Sequence, residues 1–392
     1  FRYDMVKGYD GKFTGIYNNA AKPTYSVGEY WDGNANTVKN WMNKTKVGNS
    51  IMSGAFDFTF RYSCRDAANG QNWSKLANGG INTDDAYKRY AVTFVENHDV
   101  EYRSKSEPQD PINRDTVAVN AFMLAMPGTP CVFLKHWQDC KNDIKNMILL
   151  RNLVGISNTS SWTKKNSTYN IYVVETTGDN GKLVAAVGKI ANKYTLAGYA
   201  LAAEGHHWRY FLPASSEMAW PSLPSGTYYD ETLRTTLRAI SANSSAKLVY
   251  TTDGTEPTAT NGKQVSNGAI VKIPEGNITF KVGLLSNGKV TGVQTRSYNH
   301  AKFNAYDIKV YVNVDKVGWT KINRWSWGGD GSHTSVNAWP GDPMTTTTTI
   351  AGKKWYEYAT SINTSTDEVS FVFSTGTGDP QTVDVPQVKH TT

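Results

Sequence analysis

Over the first 156 residues, short apolar segments alternate with helix-like stretches, and the alternation stops at about residue 157. This constrains the fold more than any other feature, because β/α alternation builds a parallel sheet covered by helices. Strands are expected at 2–6, 25–29, 55–58, 91–95 and 130–134. Helices are expected at 36–47, 84–90, 116–126 and 139–153, with Asn113 as a cap for the third and Pro127 as its stop. The last helix places Ile144, Met147 and Ile148 on one face and ends at Gly155. Five strands with intervening helices read as the later part of a parallel barrel or wound sheet.

Beyond residue 157 the helical period disappears. Segments 169–176 and 182–189 alternate apolar and polar residues around Gly178-Asp179-Asn180-Gly181, a hairpin signal. The expected organisation is therefore 1–156 as a β/α domain, 157–213 as a small antiparallel β-domain, and two β-sandwich modules at 217–302 and 303–392. Pro213, Pro221 and Pro224 mark a linker after the small β-domain, and the last module holds five of the 12 Trp residues. The fold class is thus multidomain α/β plus all-β.

Three carboxylates fall at predicted strand ends: Asp4, Glu29 and Asp99. In parallel β/α folds these ends face the active site. Carboxylates that converge repel, so one of them should keep its proton near neutrality. Glycoside hydrolysis uses that division between an ionised and a protonated carboxyl group. Singly, an Arg-x-Asp strand end is more often an ordinary ion pair, and a His-Asp pair a loop hydrogen bond. All three in order on successive strands are a far rarer coincidence.

These segments resemble a known family. Phe1-Arg2-Tyr3-Asp4-Met5-Val6-Lys7-Gly8-Tyr9 is similar to the fourth-strand motif of the α-amylases of glycoside hydrolase family 13. Val27-Gly28-Glu29-Tyr30-Trp31 is similar to the fifth-strand motif, and Phe94-Val95-Glu96-Asn97-His98-Asp99 to the seventh. Pro127-Gly128-Thr129-Pro130-Cys131-Val132-Phe133 resembles the eighth strand. The Lys7-Gly8-Tyr9 variant and the helix near 143–151 are most similar to the plant-type members.

The resemblance implies that residues 1–156 are strands four to eight of a (β/α)8 barrel and that 157–213 is the family's small β-domain. It implies Asp4 as the nucleophile and Glu29 as the acid and then the base of a retaining reaction. Asp99 would bind substrate hydroxyls and help distort the ring at the cleavage subsite. Arg2 would hold Asp4 ionised, His98 would donate to the same sugar, and Lys7 would contact the sugar beyond the scissile bond. Trp31 is a sugar-stacking residue or a packing residue. The backbone carbonyl of Gly8 corresponds to a calcium ligand of the plant-type relatives, so a structural Ca2+ is implied for the full-length enzyme. The family's first three barrel strands, its Asn- and His-containing motif and its calcium-binding loop domain have no counterpart in these residues. Five strands do not close a barrel, so the chain is expected to be an N-terminally truncated, C-terminal portion that is inactive or poorly folded alone.

Pro224-Ser225-Gly226-Thr227-Tyr228, with the stretch from Lys247 to Thr258, resembles the immunoglobulin-like module of chitobiase-type glycosidases, with a spacer role. Trp325-Ser326-Trp327, followed by Ala338-Trp339-Pro340-Gly341 and Met344, resembles starch-binding modules of carbohydrate-binding family 26. Trp325 and Trp327, two apart on a strand, point the same way. With Trp339 they would present flat rings to the C–H-rich face of an α-glucan, unless Trp339, beside Pro340, belongs to the core. Trp319 and Trp355 are assigned to the core.

Other chemistries find no support. The net charge is +7, and Lys and Arg form no stripe, so no nucleic-acid surface is expected. No apolar run approaches the roughly 20 residues of a membrane-spanning helix. Cys64, Cys131 and Cys140 have no metal-binding spacing, and either one disulfide with a free thiol or three reduced thiols fits them. His206 and His207 are neighbours that cannot chelate from one face of a strand, which favours a surface or packing role. The expected protein is an extracellular or cell-surface, monomeric α-amylase that cuts internal α-1,4 bonds of starch-like glucans. The alternatives are a non-catalytic α-glucan-binding protein with an incomplete barrel and a transglycosylase with the same residues.

Overall fold

A computed structural model describes residues 1–104, 106–107, 109–329 and 331–391. The chain divides into two compact units: Phe1–Gly226 with Arg234–Ile273 and Ile278–Ser297, and Thr227–Leu233 with Pro274–Asn277 and Tyr298–Thr392.

The first unit opens with a parallel sheet of five short strands: β1 (Arg2–Tyr3), β2 (Val27–Gly28), β3 (Gly54–Phe56), β4 (Ala91–Thr93) and β5 (Thr129–Pro130). They lie in chain order, so β1 and β5 are edges. The helices are α1 (Gly11–Ala21), α2 (Ala35–Lys44), α3 (Phe58–Asn69), α4 (Thr116–Ala125), α5 (Leu134–Asp139) and α6 (Lys141–Val154). Gly155, at φ +74°, ends α6 by donating to the Arg151 and Asn152 carbonyls.

Three helices went unrecognised in the sequence: α1, α3 and the short α5. In α1, Gly15 sits where a Cβ would lie 2.3 Å from the Thr45 carbonyl oxygen. The glycine that lowers helix propensity is thus what lets α1 pack closely beside the end of α2. In α3 the aromatics Phe58, Phe60 and Tyr62 mimic strand alternation, but the Asp57 side chain accepts from Phe60 N at 3.0 Å and caps a helix. The helix expected over 84–90 is instead a turn and one short 3-10 segment, Lys88–Tyr90. The Asp84 carboxylate accepts from Ala86 N at 3.0 Å, the local bond that competes with helix. The N-cap of α4 is Asp115 rather than Asn113, and its side chain makes no capping bond.

A five-stranded antiparallel sheet follows: β6 (Ser161–Ser167), β7 (Tyr172–Gly178), β8 (Gly181–Val187), β9 (Tyr199–Gly205) and β10 (Trp208–Pro213). Its order is β6-β7-β8-β10-β9, and Asp179-Asn180 form the two-residue turn between β7 and β8. Helix α4 is apolar nearly all round, because it lies between layers. Ala121, Phe122 and Met123 join Phe60, Met147, Tyr172, Leu183 and Tyr210 in one core. Arg151 reaches from α6 to the carbonyls of Leu124, Met126 and Gly128 at 2.8, 2.6 and 3.0 Å, closing the end of α4. Burial pulls its guanidinium down to about 10. Further along, Met218–Pro221, Arg234–Ile240 and Ile270–Lys272 form a three-stranded sheet, and Lys247–Thr251 pairs with Lys263–Val265 and with Gly276–Ser286.

The second unit contains two antiparallel sheets. Lys353–Ile362 lies between Tyr306–Val312 and Thr347–Ile350, while Asn323–Trp327 lies between Asp342–Pro343 and Val369–Ser374, which also pairs Val385–Val388. Ile308, Ile322, Met344, Val369 and Phe371 are buried together as its core. Trp319 packs partly buried against that core, and Trp355 is only half-buried, so neither is a fully enclosed core residue. All three cysteines are free thiols.

Candidate active site

Asp4 follows β1 directly, and Glu29 follows β2 directly. The ladder continues past both strands: Glu29 N donates to the Tyr3 carbonyl at 2.8 Å, and Val6 N donates to the Glu29 carbonyl at 3.1 Å. These bonds lock the two strand ends side by side. Beneath them, a Cβ at Gly28 would lie 2.1 Å from the Trp41 ring, so glycine is required for α2 to press its indole under the Glu29 strand.

One guanidinium spans both acids. Arg2 Nη1 lies 2.8 Å from Asp4 Oδ1, and Arg2 Nη2 lies 2.9 Å from Glu29 Oε1. Met5 N donates to Glu29 Oε2 at 3.3 Å. The Arg2 approach to Oε1 is close but poorly aligned, so that buried oxygen lacks a directed hydrogen bond. The Glu29 side chain is 2% exposed and that of Asp4 66%.

The acids are pushed in opposite directions. A hydrogen bond from Glu29, reinforced by Arg2 and by the charge of His98, holds Asp4 below the usual carboxylate range. Burial and the neighbouring Asp4 push Glu29 up, against the pull of Met5 N and Arg2. A protonated Glu29 that donates to an ionised Asp4 accounts for both shifts.

The third acid lies on the segment after β4. Asn97 Oδ1 accepts from Asp99 N at 3.0 Å and shapes the turn. Asp99 Oδ2 is 3.3 Å from His98 Nε2, and Arg103 Nη2 donates to Asp99 Oδ1 at 3.4 Å and to the His98 carbonyl at 2.8 Å. Among the described residues no hydrogen bond or ion pair joins Asp99 to Asp4 or Glu29. Below this turn, Glu96 is buried between His136 Nε2 (2.8 Å) and Ile112 N (2.7 Å), tying the end of the strand to α5.

Lys7 Nζ pairs with Asp32 Oδ2 at 3.0 Å and lies over the Tyr30 ring. Trp31 stacks on Phe58 at 5.0 Å and donates to the Tyr62 hydroxyl at 3.1 Å, leaving it half-buried. Gly8 is exposed in a short 3-10 turn, Val6–Gly8. Calcium requires six to eight oxygens, and the only group of three metal-binding side chains among the described residues lies elsewhere. The Gly8 carbonyl would supply one of those oxygens, and the rest would have to come from other groups.

In the second unit, Trp325 and Trp327 are half-exposed on one face of their strand, alternating with buried Arg324 and Ser326. Trp339 is 45% exposed, so it is not a core residue. Its ring is 6.0 Å from that of Trp325 and inclined at 70°. The pair forms an angled surface, not one flat platform.

Asp32, Arg103, Glu96 and His136 escaped the sequence reading, since each acts through a partner that no short motif specifies. His206 and His207 differ from expectation. They occupy the turn between β9 and β10, with His207 at φ +60°, so both rings fall on one side and stack at 3.8 Å.

No family model matches the chain. It is 30% identical over 165 residues to probable alpha-amylase 2 of Arabidopsis thaliana, covering 38% of each chain. It is 28% identical over 211 residues to glucan 1,4-alpha-maltotetraohydrolase of Roseateles saccharophilus, covering 48% of this chain and 36% of that one. The chain thus spans well under half the length of these two relatives. A γ-CGTase structure from an alkalophilic Bacillus clarkii aligns with TM-score 0.40 and 16% identity over 97% of this chain and 65% of that one. By sequence, the chain is similar over part of its length to α-amylases and related glucan hydrolases.

Proposed function

We propose that this chain is the later part of a retaining α-amylase-type glycoside hydrolase that cleaves internal α-1,4 bonds of starch-like glucans. The observation that carries this reading is the Arg2 guanidinium spanning Asp4 and Glu29, whose proton affinities are driven apart. Two acids reached by one guanidinium lie close together, in keeping with the short separation a retaining pair uses.

On this reading the ionised Asp4 attacks the anomeric carbon. The glycosidic C–O bond breaks, and Glu29 gives its proton to the departing oxygen. Glu29, now a carboxylate, takes a proton from water, whose oxygen attacks the same carbon and releases Asp4. Two displacements return the original configuration. Asp99 and His98 engage hydroxyls of the cleaved sugar, with Arg103 holding Asp99. Lys7 meets the sugar beyond, and Trp31, held by Phe58 and Tyr62, borders the site as a wall. No step requires a metal.

The five strands in chain order support strands four to eight of a barrel, with 157–213 as its small β-domain. Residues 217–302 serve as a spacer, and 303–392 as a starch-binding module using Trp325, Trp327 and Trp339. A polymeric substrate and a binding module suit a monomeric, extracellular or surface-attached enzyme. The free β1 and β5 edges favour a second reading, an α-glucan-binding protein with an idle sheet. Reducing-end release from soluble starch, measured on the chain extended by upstream β/α units, separates them. Release that disappears in Glu29→Gln while starch retention persists is the expected outcome. Retention without release from either protein would leave only the binding reading.

A further inference from the structure

Asp115, His206 and His207 converge although 92 residues separate Asp115 from His207. His207 Nδ1 lies 2.7 Å and His206 Nε2 lies 3.6 Å from the same oxygen, Asp115 Oδ1, and all three ligand atoms fall within 4.8 Å of one another. Donor atoms around a tetrahedral ion with bonds of about 2.0–2.1 Å sit about 3.3 Å apart, so the two distances straddle the value required.

The surroundings favour this geometry. Asp115 caps α4, yet its side chain makes no capping bond; it is 4% exposed and turned toward the β9–β10 hairpin. Its other oxygen accepts from Gln71 Nε2 at 2.6 Å, and Gln71 in turn donates to the Ala68 carbonyl, an outer-shell bond of the kind that orients metal-binding carboxylates. His207 is fixed on both sides of its backbone: its N–H donates to Asn192 Oδ1 at 3.0 Å and its carbonyl accepts from Gly188 N at 2.8 Å. His206, 78% exposed, is able to swing the few tenths of an ångström that closure needs.

We propose that Asp115, His206 and His207 form a site for a divalent transition metal, with Zn2+ as its best-suited ion, that cross-links the start of α4 to the β9–β10 turn. Two imidazoles and one carboxylate are a zinc-type donor set, not a calcium-type one. The ion sits between His207 Nδ1 and Asp115 Oδ1, with the ring proton of His207 carried on Nε2, and water completes the fourth position on the open His206 side. This site is separate from the carboxyl pair and stands whether or not the chain is a hydrolase.

The test uses the full chain, stripped with a chelator and titrated calorimetrically with Zn2+, with Co2+ as a visible-absorption probe of tetrahedral geometry and Ca2+ as a competitor. The expected result is one Zn2+ per chain, a tetrahedral Co2+ band, a raised melting temperature and no displacement by Ca2+. His206→Ala, at an exposed position, should leave the metal-free melt unchanged while weakening Zn2+ at least tenfold. Asp115→Asn should weaken it comparably. Absence of stoichiometric binding to the unmodified chain overturns the proposal, as does wild-type affinity in either variant. In particular, loss in His206→Ala alone would mean a bare surface histidine pair.

Discussion

At the residue scale the decisive group is Arg2, because its charge lowers the proton affinity of Asp4 and Glu29 together. On the proposed mechanism, hydrolysis requires Asp4 ionised and Glu29 protonated. Activity should therefore fall on the acid side as Asp4 gains a proton, and on the alkaline side as Glu29 loses one. Removing the guanidinium lets both groups hold protons more tightly. Arg2→Ala in the upstream-extended chain should move both limbs of the kcat/KM profile to higher pH, with a loss at the optimum of about 10- to 100-fold. An alkaline limb that stays put would show that Arg2 does not act on Glu29. This arrangement was legible in the sequence because Arg2, Asp4 and Glu29 occupy strand ends, where a parallel sheet fixes the direction of the chain. The grouping of Asp115 with His206 and His207 was not, because it depends on a turn residue at φ +60° and on the docking of a distant hairpin.

At the element scale, α3 shows how a buried acid shapes the molecule. Asp57 is fully buried and accepts from Phe60 N and Asn82 N at 3.0 Å each. Burial outweighs these bonds and lifts its carboxyl group from 3.8 to about 6. The folded state then binds this proton more tightly than the unfolded chain. Stability from this group is fully present below the unfolded value, is lost as pH rises toward about 6, and is flat above that. The change is on the order of 3 kcal/mol, from about two pK units. Asp57→Asn should flatten the pH dependence of the urea midpoint across that window in the upstream-extended chain. If the slope survives the substitution, another group is its source. Asp57→Ala, which strands two buried N–H donors, should cost about 2–4 kcal/mol at neutral pH. The helix was missed because Phe58, Phe60 and Tyr62 alternate like a strand. A cap that also binds a distant backbone amide, Asn82 N, is a tertiary fact no local pattern carries. The strands were readable from short segments rich in apolar and aromatic residues that alternate with helical stretches, although they are shorter than those segments suggest.

At the scale of the whole molecule, the two candidate functions are carried by different units and should separate by mutation. Trp325→Ala removes one wall of the angled Trp325–Trp339 surface. In the upstream-extended chain it should weaken retention on insoluble starch roughly tenfold, on the scale of one lost aromatic–sugar contact, and leave release from short soluble glucans unchanged. Equal loss of both activities would mean that the tryptophan supports folding.

The sheet in the first unit leads to the complementary expectation. Among the described residues β1 pairs with a strand on one side only, and in the segment running from β1 through α1, Phe1, Met5, Phe13, Ile16 and Tyr17 are exposed at 62, 60, 39, 55 and 51%. A parallel sheet normally has both faces and its edges covered, and exposed apolar side chains in the segment that carries a free strand invite association with other chains. The 392-residue chain should therefore bind a hydrophobic dye strongly, show concentration-dependent light scattering and melt over a broad range. Joining it to upstream β/α units that supply a strand beside β1 should suppress dye binding and scattering and sharpen the melt. If dye binding is unaffected by that extension, the exposed apolar side chains belong to the native surface, and the reading of an incomplete barrel fails while the carboxyl pair and its proton division remain.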